Sequence, residues 1–263
     1  MGGRSTKFGL LDDSFRISTT RESTIGSIDE LVVGILDLCA HPKIVAISVP
    51  GPVDYVNQKV ISCLFLPWLE GDLPHELKRI MGQDVSIILF NDGDAHTLSL
   101  NGRKDVELGA LSISLGASIG FGALDANGTL FRPLSGNNWE IGHITIPDSP
   151  FDEFDYSSKA GYLLGSNGFE ALKIKFGDKA YEVYGCFLGK FVANLCIIFQ
   201  PRTVFFTGGM VRYDWNKISS FVKRAISLEK EHLSPPKIVA SKEFDSALSG
   251  LANAVKKEYF GKI

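Results

Sequence analysis

The chain has 263 residues, 44% of them hydrophobic and 22% charged, with a formal net charge of −3. That balance belongs to a globular protein of one large domain or two small ones, whose core needs neither disulfides nor a metal to close. Nothing in it suggests a nucleic-acid or anionic-membrane partner.

Residues Met1 to Thr24 carry charges throughout and lack the apolar run of a secretory leader. Lys7–Leu11 and Phe15–Thr19 read as two short strands joined by a tight Asp12-Asp13-Ser14 turn, with Gly2-Gly3 as a turn before them. Ser27 and Glu30 form a capping box, and Ile28, Leu31, Val32, Ile35, Leu36 and Cys39 follow at helical spacing until His41-Pro42. Ile44–Val49 reads as a strand closed by the Pro50-Gly51-Pro52 turn. A second helix is expected from Leu73 to Met81, with Gly82 past its end. Val85–Phe90 reads as a strand buried on both faces. It delivers Asn91-Asp92 to the carboxyl edge, where ligands bind in open α/β sheets.

Leu108–Leu115 reads as a strand running into a glycine-rich turn, Gly116 to Gly122, and a further strand leads to the hairpin signal Asn127-Gly128. Tyr156 to Gln200 is expected to be mostly helical. Val204–Phe206 is a strand closed by Gly208-Gly209, and two more helices with a short strand, Lys237–Ala240, between them complete the chain. The order argues for an α/β protein of two halves with a cleft between them. The expected division is 1–106 for a smaller first lobe and 107–263 for a larger second one, with the terminal helix packing back on the first.

Cys39, Cys63, Cys186 and Cys196 form no CxxC pair and match no zinc spacing. Cys39 and Cys196, in apolar helical patterns, read as buried thiols of a reducing compartment. The apolar runs Val45–Val49, Val85–Phe90 and Cys196–Phe199 are too short to span a bilayer. A cytoplasmic protein without a membrane partner is the expectation.

Asp92 is the first candidate for chemistry. A carboxylate there could take the proton from a hydroxyl as its oxygen attacks phosphorus. Asn91-Asp92 reads equally as the N-cap of a helix starting near Asp94. Three glycines in Gly116–Gly122 would let backbone N–H groups converge on phosphate oxygens. The segment has no Gly-Lys-Ser/Thr, and a strand rather than a helix follows it, so it is neither a P-loop nor a dinucleotide fingerprint. Gly208-Gly209 and Gly2-Gly3 read singly as turn geometry. Glu140 and His143 could both face a polyol, although His143 taken alone reads first as a structural histidine.

Together these segments resemble the ROK family of sugar kinases, of the actin/hexokinase superfamily. Val49–Asp54 resembles its PGPVD turn, Leu66-Pro67-Trp68 its xNW segment, and Asn91-Asp92-Gly93-Asp94-Ala95 its NDANAA. Leu115–Gly122 resembles its second phosphate loop, Gly136–His143 its GxxGEIGH, and Phe205–Gly209 its adenosine-loop strand. The resemblance implies two ribonuclease-H-like lobes closing on a hexose or N-acetylhexosamine and on ATP with Mg²⁺, with a homodimer as the family's assembly. It makes Asp92 the catalytic base and gives Asn91, Glu140 and His143 the other sugar hydroxyls. Gly2, Gly3, Gly116, Ala117 and Ser118 would lie along the phosphates, and Gly208 and Gly209 beside the adenosine.

Several residues depart from the family pattern. Gly2-Gly3-Arg4 aligns with Asp-x-Gly-Gly-Thr so that the Asp would precede Met1, with Arg4 in place of Thr. Ala117 and Ser118 replace Thr and Gly, and Trp139 replaces the glycine before EIGH. Pro147 to Gly168 contains no cysteine, so no zinc is expected beside His143 and no metal ligand is assigned. These departures motivate a second reading, a catalytically weakened sugar-binding protein of the same fold.

Overall fold

The computed structural model describes residues 5–64, 66–151, 155–228, 234–242 and 246–261. The chain divides into two compact units. One comprises Met1–Arg103, Leu130–Trp139 and Asp245–Ile263, and the other Lys104–Thr129 and Glu140–Phe244.

The first unit opens with β1 (Thr6–Leu11) paired antiparallel to β2 (Ile17–Ser23). Asp12 closes the turn between them, its Oδ1 accepting from the backbone N–H groups of Ser14 and Arg16 at 2.9 Å each. Helix α1 (Ile28–Leu38) begins at the expected cap. Ser27 accepts from the Glu30 N–H, and the Glu30 carboxylate reaches back to the N–H of Gly26 at 2.7 Å. Leu31 and Val32 face the core, which collects Phe8, Ile47, Val49, Leu69, Leu73, Leu77 and Leu89.

Strand β3 (Ile44–Val49) is followed by a short antiparallel pair, β4 (Val53–Asp54) and β5 (Lys59–Val60). Helix α2 (Leu73–Met81) has the expected bounds, capped by Asp72 and ended by Gly82 at φ +107°. Strand β6 (Ser86–Asn91) pairs parallel with β3 and leads directly into α3 (Asp92–Leu98). The expectation that β6 is buried on both faces is corrected: only Leu89 and Asn91 are buried, and the other four residues are half-buried. Among the described residues its ladder partner is β3 alone, so the strand lies in a two-stranded ribbon rather than in the middle of a sheet.

The second unit is built on β7 (Ala110–Leu115), β8 (Ile119–Leu124), β9 (Thr203–Thr207) and β10 (Lys237–Ala240), in the order β10-β9-β7-β8. Strands β7, β9 and β10 run parallel, and β8 is antiparallel to β7. The helices are α4 (Ala160–Leu163), α5 (Ser166–Phe176), α6 (Ala180–Phe199) and α7 (Gly209–Leu228). Cys196 is buried on α6, Cys39 is half-buried just past α1, and all four cysteines are free. The stretch Ser166–Phe199 is long and apolar enough to cross a membrane, which the run lengths alone do not suggest. Half of its apolar 18-residue window is buried, with α6 packed along α7, as in a core helix.

Helix α8 (Ser246–Gly261) belongs to the first unit and packs on α3. Gly250 makes that contact possible, because a Cβ there would lie 1.7 Å from the carbonyl oxygen of Ala95. Gly250→Ala must therefore force α8 away from α3, and we expect a loss of about 1–3 kcal/mol, the cost of overpacking a close contact. A lowered urea midpoint at unchanged slope would show it; an unchanged midpoint would mean that the helices do not meet here.

Candidate functional site

Parallel pairing sets the first half of the site. In the β3–β6 register Val49 lies opposite Asn91, so the Pro50–Pro52 turn and the start of α3 emerge at one carboxyl edge. Asn91, 7% exposed, joins them. Its Nδ2 donates to the Gly51 carbonyl at 2.9 Å, and its Oδ1 accepts from the Gly93 N–H at 2.8 Å as the N-cap of α3. Asp92 is the first helical residue, half-buried, with Oδ1 accepting from the same Gly93 N–H at 2.8 Å. The capping and chemical readings of Asn91-Asp92 thus fall on different residues: Asn91 caps, and Asp92 holds a carboxylate at the strand edge.

Four residues that sequence reasoning missed complete this corner. The Tyr55 hydroxyl donates to Asp94 Oδ2 at 2.5 Å and accepts from the Asn91 N–H at 2.9 Å. Arg132 Nη1 donates to the same carboxylate oxygen at 2.8 Å, and its guanidinium lies 3.4 Å from the centre of the Tyr55 ring. Asn138 accepts from the Val53 N–H at 2.8 Å and is buried. Segment 130–139 is thereby fastened to the corner at two points. Burial and then the Asp94 charge push the pKa of the Tyr55 hydroxyl well above its ordinary value, so it stays protonated. Burial likewise raises the Cys63 thiol, which donates to the Pro50 carbonyl at 3.3 Å.

In the second unit the register sets Ser114 opposite Thr207, so the loop after β7 and Gly208-Gly209 after β9 share one edge. The expected glycine-rich turn over Gly116–Gly122 is corrected. The turn is confined to Gly116–Ser118, closed by the Gly116 N–H donating to the Ser118 carbonyl at 3.0 Å. Gly120 and Gly122 lie in β8, opposite Ser114 and Ser112, so only Gly116 of the three glycines belongs to the loop. Asn127-Gly128 does form a turn, closed by the Gly128 N–H on the Asp125 carbonyl, but among the described residues no strand after it pairs with β8.

The short loop is tightly seated. Gly208 has φ +101°, and a Cβ on it would lie 2.5 Å from the Leu115 carbonyl oxygen. On the other side, a Cβ on Gly165 would lie 2.3 Å from the Ala117 carbonyl, and the Ser166 N–H donates to Gly116 at 2.9 Å. Gly209 opens α7 with nothing within 4 Å of its Cβ position. A helix N-terminus preceded by glycine, with open space beside it, fits a phosphorylated ligand.

Glu140 and His143 bracket a short 3-10 turn, Ile141–His143, with His143 Nε2 3.9 Å from Glu140 Oε2. Their side chains are 44% and 69% exposed. After them the chain is tied by backbone, through an antiparallel bridge between Thr145 and Lys159. Among the described residues no three His, Cys, Asp or Glu side chains gather to hold a metal ion. Gly2 and Gly3 lie outside the described residues. The residues singled out from sequence therefore fall into an Asn91-Asp92 corner in the first unit and the 116–118, 140–143 and 208–209 segments in the second.

Two expectations follow. Gly208→Ala requires a strained φ and a backbone clash at once, and should cost about 1–3 kcal/mol in denaturant unfolding; no change would mean that the Leu115 loop is not seated on Gly208. His96, on α3, is half-buried, and burial pushes its imidazole down to about 4. The folded state therefore holds it neutral where the unfolded chain, with an ordinary value near 6.5, takes up a proton. Stability should fall as pH drops from about 6.5 toward 4, by up to about 3 kcal/mol, and level off below. His96→Gln should flatten that slope in thermal unfolding followed against pH; an identical slope in the variant would assign the effect to other groups.

The family model for "ROK family" matches residues 1–157. A glucokinase of Halalkalibacterium halodurans is 26% identical over 153 residues, 54% of this chain and 45% of that protein, so the match spans less than half the length of that relative. The ROK hexokinase of Thermus thermophilus, 18% identical, superimposes with a TM-score of 0.80 over 99% of this chain and 97% of its own. The ROK family glucokinase of Streptomyces griseus, solved with glucose and AMPPNP, is 18% identical with a TM-score of 0.67 over 97% of this chain and 96% of its own. At these identities the structural likeness establishes the fold: a mixed α/β protein of the ROK type.

Proposed function

This chain belongs to the ROK family, and we propose that it phosphorylates a sugar, transferring the terminal phosphoryl group of ATP to a hydroxyl of a hexose or N-acetylhexosamine. The observation that carries the reading is the Asn91-Asp92 corner: a half-buried carboxylate at the carboxyl edge of parallel strands, on a backbone fixed by Asn91. The relatives support the same chemistry, one being a glucokinase and another having been solved with glucose and AMPPNP.

In this reading the sugar hydroxyl oxygen attacks the terminal phosphorus, Asp92 takes its proton, and the bond to ADP breaks. The remaining Nδ2 proton of Asn91 is a donor for a neighbouring sugar hydroxyl. Glu140 and His143, three residues apart and exposed, supply an acceptor and an adaptable partner for others. Gly116, Ala117 and Ser118 line the phosphates, and Gly208 and Gly209 let the adenosine approach the backbone. Magnesium brought in with ATP would supply neutralisation of the phosphate charge, and among the described residues no cluster of His, Cys, Asp or Glu is gathered to hold it.

The test is ADP release from Mg·ATP across a panel of hexoses and N-acetylhexosamines, with Asp92→Asn beside the wild type. One sugar should raise turnover well above the ATPase background. The variant should lose about 10²–10⁴-fold in kcat while sugar affinity stays within a few-fold. Equal turnover in the variant would remove Asp92 from the chemistry. Sugar binding without ADP release from the wild type would make the chain a sugar-binding protein of the same fold.

A further inference from the structure

The reading above uses Asp92 but gives no role to the three side chains that hold the backbone beside it. Asp94, only 2% exposed, receives both the Tyr55 hydroxyl and the Arg132 guanidinium on one oxygen. It stands where the resembled motif has Asn, so the negative charge that meets Arg132 is a departure of this chain. The direction of each bond follows from chemistry. An ionised carboxylate only accepts and a backbone N–H only donates, so a hydroxyl between them must give its proton to Asp94 and turn a lone pair to Asn91. Arg132 closes the arrangement by covering the face of the Tyr55 ring at 3.4 Å.

We propose that Tyr55, Asp94 and Arg132 act as a positioning relay that fixes the Asn91 N–H, and through it the direction in which the Asp92 carboxylate leaves the strand edge. The catalytic consequence rests on the reading of Asp92 as the base; the positioning itself does not. Asn91 is held at three atoms, its N–H by Tyr55, its Nδ2 by Gly51 and its Oδ1 by Gly93. The first two of these depend on residues outside the β6–α3 segment, and only the first on a side chain. Arg132 is also carried on the segment that Asn138 anchors to Val53, so the relay couples the Asp92 corner to the stretch running into Trp139. None of the three side chains needs to touch a substrate for this, which makes them positioning residues.

The experiment is backbone hydrogen–deuterium exchange on the full chain, read on peptides covering 89–98, for wild type, Tyr55→Phe and the double variant Asp94→Asn/Arg132→Met. Tyr55→Phe keeps the ring under Arg132 and removes only the hydroxyl. The double variant removes both charges together and leaves no lone buried ion. Both should speed exchange at 91–93 by about tenfold or more, with the β1–β2 and α1 peptides unchanged. Where turnover is measurable, kcat should fall about tenfold and KM for the sugar should stay within about twofold. Unchanged exchange at 91–93 in folded variants would overturn the relay, whether or not the wild type phosphorylates a sugar. Faster exchange in a protein that shows no phosphorylation would uphold the relay and defeat the kinase reading instead. Equal loss of protection across the whole first unit would reduce the three residues to ordinary structural ones.

Discussion

The parallel register of β3 and β6 is the constraint on which the candidate site depends. Because Val49 lies opposite Asn91, the strands end together, and Asn91 reaches the Gly51 carbonyl with a side chain only two bonds longer than a methyl. Sliding one strand by a residue would move the ends about 3.3 Å apart and turn every side chain to the other face. Asn91 would then lose the Gly51 carbonyl. The core agrees with this register, since it places Ile47, Val49 and Leu89 in the cluster with Leu31, Val32 and Leu77. Hydrophobic burial chooses the register, and the register delivers the polar corner.

The second unit repeats the logic with sterics in place of hydrogen bonds. Ser114 opposite Thr207 brings two loops to one edge, and what separates them is the width of a missing Cβ. Leu115 sits against Gly208 and Ala117 against Gly165, so the loop between β7 and β8 is clamped by backbone on both sides. A clamped loop presents its N–H groups in one geometry, while Gly209 leaves open space beside the first turn of a 20-residue helix. Rigid backbone next to a gap can receive a large anionic ligand without first having to be ordered.

Local signals made much of this legible. The Ser27–Glu30 box, the Gly82 stop and the Pro50-Gly51-Pro52 turn each mark a boundary through the chemistry of one or two residues, and the elements lie where those marks set them. Asn91-Asp92 was visible because a strand pattern ended there. The extent of the glycine turn is not legible, because glycine at 120 and 122 looks the same in sequence whether it bends a loop or sits in a ladder; only pairing with Ser114 and Ser112 decides. Tyr55, Arg132 and Asn138 were out of reach for another reason. They lie 36 to 85 residues from the partners they hold, and no period or motif joins positions that far apart. Gly165 was hidden likewise, as a glycine at the mouth of a helix whose purpose is a contact with Ala117.

The buried Asp94–Arg132 pair is costly to explain as a source of stability. With side chains 3% and 22% exposed, both ions have given up most of their water, and an apolar pair of the same size would hold the fold about as well. Removing one partner, by contrast, would strand the other and cost about 3–5 kcal/mol. What a charged pair supplies and an apolar pair cannot is direction. Asp94 dictates where the Tyr55 proton points, and Tyr55 in turn dictates the orientation of Asn91. Glu140 and His143, 44% and 69% exposed and 3.9 Å apart, keep far more of their water. The Asp92 carboxylate is thus held on a corner whose geometry the surrounding side chains set. A corner fixed in this way suits the close aiming of one carboxylate, as the proposed proton transfer would require.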